Sequence, residues 1–285
     1  MNHDLLISAG QLQQLLANKT PVRIFDCTFD LTDPAVGHQQ YLESHIPGAV
    51  YAHLDTALSD KHGTGVSGGR HPLPSREKFA IWLSNVGLAN DMQAVVYDRN
   101  GANYCGRLWW MLKWAGHNSA AVLDGGLQAW QAAGGTVNSG EEPTHFQTSF
   151  TLSPEIADLI ATKTVADNLG RPIQTLVDAR GAPRFRGEVE PLDPVAGHIP
   201  GALNRPFAQN MGADGKFKPA EQLKAEFETL LAGRDLASVV HHCGSGVSAA
   251  PNILAMQIAG LGMTGLYAGS WSDWCSDASR PMAQG

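Results

Sequence analysis

A five-residue block occurs twice in this chain, and that repetition limits the possible fold more than any other feature. His45-Ile46-Pro47-Gly48-Ala49 returns as His198-Ile199-Pro200-Gly201-Ala202. Each copy follows an aspartate that ends an apolar run: Asp26 after Val22-Arg23-Ile24-Phe25, and Asp178 after Leu176-Val177. The aspartate-to-histidine spacings are 19 and 20 residues. Farther on, Val95 to Trp130 aligns without gaps to Val239 to Trp274 at an offset of 144. Six of those 36 pairs are identical, too few to argue from alone, but they stand in the same order as the first block. Duplication of one unit accounts for both, and 285 residues is about two domains' worth of chain.

Each copy reads as alternating strand and helix. Val22–Phe25, Ala94–Tyr97 and Ala121–Leu123 are short apolar runs suited to buried parallel strands, as are Thr175–Val177, Ser238–His241 and Gly265–Tyr267 in the second copy. Tyr104–Trp114 and Ser248–Ala259 have helical length, and Glu221–Leu231 has the apolar spacing of an amphipathic helix through Leu223, Phe227, Leu230 and Leu231. Alternating βα units predict an α/β fold, two domains each with a mainly parallel sheet flanked by helices. The polar stretch Ser139-Gly140-Glu141-Glu142-Pro143-Thr144-His145 predicts the boundary, giving domains over 1–140 and 151–285.

Composition excludes several function classes. Hydrophobic residues make up 43% and charged residues 16%, so the bulk of the chain is not disordered. Twenty basic against 27 acidic residues, with no basic block, argue against general nucleic-acid binding. No apolar run is long enough to span a membrane, and Met1-Asn2-His3-Asp4-Leu5-Leu6-Ile7 lacks the basic and apolar regions of a secretory signal. Cys27, Cys105, Cys243 and Cys275 form no Cys-x-x-Cys pair and are too few for a disulfide scaffold. The expectation is a reduced cytoplasmic protein.

The chemistry concentrates in Val239-Val240-His241-His242-Cys243-Gly244-Ser245-Gly246-Val247-Ser248-Ala249. A strand runs into a small-residue loop, and the loop into a helix. Successive backbone N–H groups of such a loop converge on one point, and the helix N-terminus adds about half a positive charge. A cysteine there has its thiolate stabilised, and cysteines so placed fall from a pKa of ~8.5 to roughly 3.5–7.5. The competing reading is a buried, inert cysteine. Gly244-x-Gly246-x-x-Ala249 formally matches a dinucleotide fingerprint, but no acidic residue ends the next strand. A Cys-x5-Arg phosphatase loop would need arginine where Ala249 stands. A metal site from His241, His242 and Cys243 is disfavoured because adjacent strand residues face opposite ways.

Cys-Gly-Ser-Gly-Val-Ser-Ala closely resembles the active-site loop of the rhodanese superfamily, in the form carried by its mercaptopyruvate sulfurtransferases. Gly69-Arg70-His71-Pro72-Leu73-Pro74, Leu123-Asp124-Gly125-Gly126-Leu127 and Asp178-Ala179-Arg180 stand in the family's order, so the resemblance covers essentially the whole chain. It implies two tandem rhodanese-like domains, with only the second carrying the nucleophile. The repeat alignment agrees, since Arg99 stands opposite Cys243. The first copy is then a silent partner, and Cys105 reads as core.

The implied reaction passes sulfur from a small anionic donor to Cys243 as a persulfide, then to an acceptor such as cyanide, a thiol or thioredoxin, with no metal or organic cofactor. Gly244, Gly246, Val247 and Ser248 would contribute the amide cradle. Arg184 matches the family's substrate-binding arginine, Arg186 is a second candidate, and Arg180 reads as structural. A second arginine usual before the Gly-His-Ile-Pro block is missing: Leu192 stands there, and Arg205 is the expected substitute. The family's Ser-His-Asp arrangement maps onto Ser245, His71 and Asp55, the latter two expected from the silent domain. Neutral Gly244 and Ser245 favour mercaptopyruvate over thiosulfate, while the missing arginine pulls the other way. A non-catalytic rhodanese-like carrier or regulator is the remaining alternative.

Overall fold

The computed structural model describes residues 3–285, which cluster into two compact units. The first runs to Leu58 and takes up Pro74–Ile156 and Ala213–Lys216. Its strands are β1 (Leu6–Ile7), β2 (Val22–Asp26), β3 (Val50–Tyr51), β4 (Gln93–Tyr97) and β5 (Ala120–Leu123). They pair in parallel in the order β1-β5-β4-β2-β3. All five residues of β4 are buried, as a strand covered on both faces requires. The helix Cys105–Trp114 is buried at every position, so it has no solvent-exposed face. Its Arg107 is fully buried and donates to the Leu58 carbonyl through Nε and Nη2 at 3.1 and 2.8 Å.

The second unit comprises Ser59–Leu73, Ala157–Gly212 and Phe217–Gly285. Strands β6 (Thr175–Asp178), β7 (Leu203–Asn204), β8 (Val239–His242) and β9 (Gly265–Leu266) also pair in parallel, in the order β7-β6-β8-β9. The amphipathic helix Ala220–Leu231 buries Leu223, Phe227 and Leu231. Trp271 and Trp274 sit in the core, each indole N–H donating to a carbonyl, Val195 at 2.8 Å and Pro281 at 2.9 Å. The units are not the two continuous stretches that a single cut between 140 and 151 would leave. Ser59–Leu73, encoded in the first half, belongs to the second unit.

The repeated block performs one task twice. Pro47-Gly48 and Pro200-Gly201 occupy the centres of tight turns, closed by Ala49 N–H to Ile46 O and Ala202 N–H to Ile199 O, both 3.0 Å. The glycines take φ of +74° and +79°, which is why proline–glycine is the sequence at both turns. Each histidine stacks on an aromatic ring, His45 on Tyr41 at 4.1 Å and His198 on Phe185 at 3.9 Å.

Candidate active site

In the second unit, β8 ends at His242 and the chain turns through 243–249 before the helix Ala250–Ile258. The turn is tight because Gly246 holds φ +75° with its back against Ala268, where an added Cβ would lie 2.3 Å from the carbonyl oxygen. Trp271 and Ser272 N–H groups donate to the carbonyls of Cys243 and Gly244, both at 2.9 Å, and pin the start of the loop. The carbonyls are thus engaged, whereas the N–H groups of Gly244, Ser245, Val247 and Ser248 meet no protein acceptor among the described residues. Four undirected amides in a buried loop are suited to an anion.

Cys243 is 2% exposed, and its N–H donates to Ser270 Oγ at 3.0 Å. Ser270 Oγ lies 4.0 Å from Cys243 Sγ and 2.9 Å from the Tyr267 carbonyl, so one hydroxyl proton has two acceptors to choose between. Sequence reasoning passed over Ser270. The signal was in the repeat: Ser270 aligns with Gly126, and both hold left-handed backbone, at φ +57° and +59°. A non-glycine residue in that conformation costs about 1–3 kcal/mol, and such strain gathers at functional sites.

His71 and Ser245 meet within the same unit. His71 Nδ1 and Ser245 Oγ are 2.7 Å apart, each residue 4% exposed. The expectation that His71 belongs with the first domain is therefore corrected, since Ser59–Leu73 packs with the cysteine loop. Asp55 is not brought into this unit; it falls in the first, where its N–H donates to His53 Nδ1 at 3.0 Å.

The arginines separate by position. Arg184 donates to Glu190 through Nε at 3.1 Å and Nη2 at 2.6 Å, and through Nη2 to Asp193 at 3.2 Å. A Cβ built on Gly244 would lie 3.5 Å from both Arg184 Nη atoms and 3.0 Å from Arg70 Nη2, so two guanidiniums reach the residue after the cysteine. Arg180 is structural as expected: it grips Asp178 with Nε and Nη2 and lies over the Trp271 ring at 4.9 Å. Burial favours the neutral Asp178 carboxyl, yet His242 and Arg180 hold it below its ordinary range. Arg186 is exposed and paired with Glu188. Arg205 corrects the expectation attached to it. Its guanidinium is buried over the Phe227 ring at 4.2 Å and bonded to Asn210 at 3.0 Å and Glu226 at 2.8 Å, so it is turned to those partners and not to the cysteine loop.

His241 and His242 leave β8 on opposite sides. His241 Nε2 lies 3.1 Å from Met256 Sδ, and His242 Nδ1 lies 3.9 Å from Asp178. Burial drives His241 down to about 3, with His242 and Arg205 adding to the shift. Between that value and the unfolded value near 6.5, the unfolded chain binds the extra proton, so stability is lost as pH falls through this window. At pH 5 the loss is about 2 kcal/mol. Denaturant melts at pH 7.5 and 5 should show it in wild type and lose that part in His241→Leu; an equal acid loss in both would contradict it.

The corresponding loop of the first unit is already filled. Asp98, opposite His242 in the repeat, accepts N–H bonds from Asn100 at 2.9, Ala102 at 3.0, Tyr104 at 2.8 and Cys105 at 3.0 Å. Burial raises its carboxyl above the ordinary range against the pull of those N–H groups. Arg99, in the cysteine's place, donates to Asp26 at 3.1 Å, Thr28 Oγ1 at 2.7 Å, and the carbonyls of Gln40 and Ser44. Asn100 and Tyr104 stand opposite Gly244 and Ser248, so two amides left without a protein acceptor in one copy are closed by the chain's own carboxylate in the other.

Comparison with known proteins gives this arrangement its relatives. The rhodanese-like domain model matches residues 8–133 and again 161–277. Over its full length the chain is 45% identical to a Pseudomonas aeruginosa protein named "Probable 3-mercaptopyruvate sulfurtransferase", covering 100% of both. It is 34% identical to the Arabidopsis thaliana "Thiosulfate/3-mercaptopyruvate sulfurtransferase 2", over 86% of this chain and 76% of that protein. The solved 3-mercaptopyruvate sulfurtransferase from Leishmania major superposes with a TM-score of 0.80 at 32% identity, covering 96% of this chain and 74% of that one. Two parallel α/β units, each holding a strand–loop–helix turn at the same repeat position, together with these matches, place the chain in the rhodanese-like family, whose domain it carries twice.

Proposed function

We propose that the chain is a sulfurtransferase that moves the thiol sulfur of 3-mercaptopyruvate, as the sulfane sulfur of a Cys243 persulfide, to cyanide, a thiol or a thioredoxin-like protein. The observation that supports it most is the ring of unengaged amides after Cys243 in a loop whose next residues, Gly244 and Ser245, are neutral. In the first half-reaction the Cys243 thiolate attacks the donor's sulfur. The carbon–sulfur bond breaks, its electron pair passes to the carbon as pyruvate enolate, and a proton completes pyruvate. In the second, the acceptor's nucleophile takes the outer sulfur and the Cys243 thiolate leaves. Splitting the transfer in this way gives ping-pong kinetics. The N–H groups of Gly244, Ser245, Val247 and Ser248 hold negative charge in both halves, at no reorganisation cost during reaction.

Arg184 binds the donor's carboxylate or keto oxygen, and the Ser245–His71 pair moves the proton, with Asp55 the proposed third member. No metal or organic cofactor enters either half-reaction. The first domain is silent because Arg99 replaces the nucleophile and Asp98 occupies the amides. Four free cysteines, all buried, fit a reducing compartment such as the cytoplasm. No helix among the described residues is long and apolar enough to cross a membrane.

The absence of arginine at Leu192, together with a relative named for both donors, keeps thiosulfate as a second reading. Steady-state kcat/KM for the two donors decides between them: mercaptopyruvate should be preferred by about tenfold or more, and a preference for thiosulfate would establish the other reading. The proton-moving pair has its own test. His71→Ala and Ser245→Ala should each lower kcat by about 10²-fold, the double variant little further, with donor KM within a few-fold. A kcat unchanged in either would remove the pair from the mechanism.

A further inference from the structure

Resting on the sulfurtransferase reading, we infer that Ala283-Gln284-Gly285 is a positioning strap for the donor site, clasping both ends of the loop whose carboxylates direct Arg184. That loop, 187–197, contains no helix or strand. From Glu190 to Gly197 no backbone group bonds to another backbone group among the described residues. Its shape is therefore left to side chains and to its two ends. Yet it carries Glu190, which takes Arg184 Nε at 3.1 Å and Nη2 at 2.6 Å, and Asp193, which takes Nη2 at 3.2 Å. Both carboxylates are buried, so the direction of Arg184 follows the placement of this loop.

The strap meets the loop at each end. At the far end His198 and Ala283 form an antiparallel bridge, with N–H to O distances of 2.8 and 2.9 Å. At the near end the Gly285 N–H donates to the Arg186 carbonyl at 3.0 Å. Gln284 Nε2 donates to the Ala196 carbonyl at 3.1 Å. Two glycines make room for these contacts. Gly197 holds φ +128° and Gly187 φ +78°, and a Cβ there would lie 2.3 Å from the Ala283 carbonyl oxygen and 2.8 Å from Gln284 Cγ. The loop's backbone is thus shaped around the strap, since any side chain at either position would push it away. The strap is itself anchored. Met282 packs against the core that holds Trp271 and Trp274, and the Pro281 carbonyl accepts the Trp274 indole N–H at 2.9 Å. None of the strap's hydrogen bonds among the described residues reaches the cysteine loop, so its effect falls on donor binding and not on the chemical step.

Ending the chain after Met282 should raise the KM for mercaptopyruvate about tenfold, the factor that goes with one misdirected charge-assisted hydrogen bond, with kcat within about threefold. The inhibition constant of pyruvate, which keeps the carboxylate and keto oxygen but has no sulfur to give, should rise in parallel. In an Arg184→Met background, whose own KM is raised, the same truncation should change KM by less than about twofold, because a strap that acts through Arg184 then has nothing to position. Two point variants carry the same test should the shortened chain not fold. Ala283→Pro removes one N–H of the bridge, and Gln284→Ala changes an exposed side chain; each should raise KM by about threefold. A wild-type KM in these proteins, folded by thermal melt, would overturn the inference. So would a fall in kcat alone, or the same KM factor with and without Arg184. Persulfide formation on wild-type Cys243 at saturating donor is scored separately. Its failure would bring down the sulfurtransferase reading and the strap together, whereas its success with an unchanged KM in the variants would remove only the strap.

Discussion

Cys243→Ser is expected to lower pyruvate release from mercaptopyruvate by about 10³-fold or more while leaving the melting temperature within a few degrees of wild type. The substitution nearly preserves volume at a buried position, so packing survives, but a serine hydroxyl is not ionised near neutrality and cannot hold a transferable sulfur. No other thiol can stand in. Cys27 and Cys105 are buried, and burial pushes both thiols well up, with Asp98 adding to the shift in each case. Burial raises Cys275 as well. Residual activity within tenfold of wild type would mean that the sulfur passes elsewhere.

Gly246→Ala should rank second, with kcat/KM reduced about 10²–10³-fold, the range seen when donors aimed at a developing charge are misplaced. The added methyl collides with the Ala268 carbonyl at 2.3 Å, and backbone on one side of the contact or the other must move to relieve it. The amides of Ser245, Val247 and Ser248 then shift relative to the sulfur. Left-handed strain contributes too, and Gly233→Ala separates the two effects: its φ is +80°, but nothing lies within 4 Å of the added Cβ. That variant should lose about 1 kcal/mol of stability and no activity. Equal activity in Gly246→Ala and wild type would show that the loop's shape does not govern the reaction.

On the proposed reading, the contrast between the two loops is why duplicated sequence gives one reactive centre. Both turns present amides at the end of a parallel strand, where ligands of open α/β sheets gather. What differs is the residue at the strand's end. An aspartate there folds back onto its own loop and accepts four N–H bonds, whereas His242 faces Asp178 and leaves the amides unengaged.

How much of this was legible depended on the range of the interactions. Val95-Val96-Tyr97 and Leu176-Val177 read as strands because a strand buried on both faces needs a continuous apolar run. Leu6–Ile7, Val50–Tyr51 and Leu203–Asn204 were passed over, because two residues carry no periodicity. Cys243 and its glycines were readable because a tight strand-to-helix turn imposes local composition. The allegiance of Ser59–Leu73 was not, since it rests on contacts such as Arg70 with Ser272 and His71 with Ser245, about two hundred residues apart in sequence or nearly so. Arg205 was misassigned for a related reason. Proximity to the Gly-His-Ile-Pro block says nothing about where a long side chain turns, and Glu226, 21 residues on, captured it.

The most direct measurement is the mass of the four cysteine-bearing peptides after the protein meets mercaptopyruvate without an acceptor. The peptide containing Cys243 should gain about 32 Da, one sulfur atom, and lose it again on adding cyanide or a thiol. An unmodified Cys243 peptide from fully folded protein, or the same gain on Cys27, Cys105 or Cys275 instead, would contradict the account at its centre.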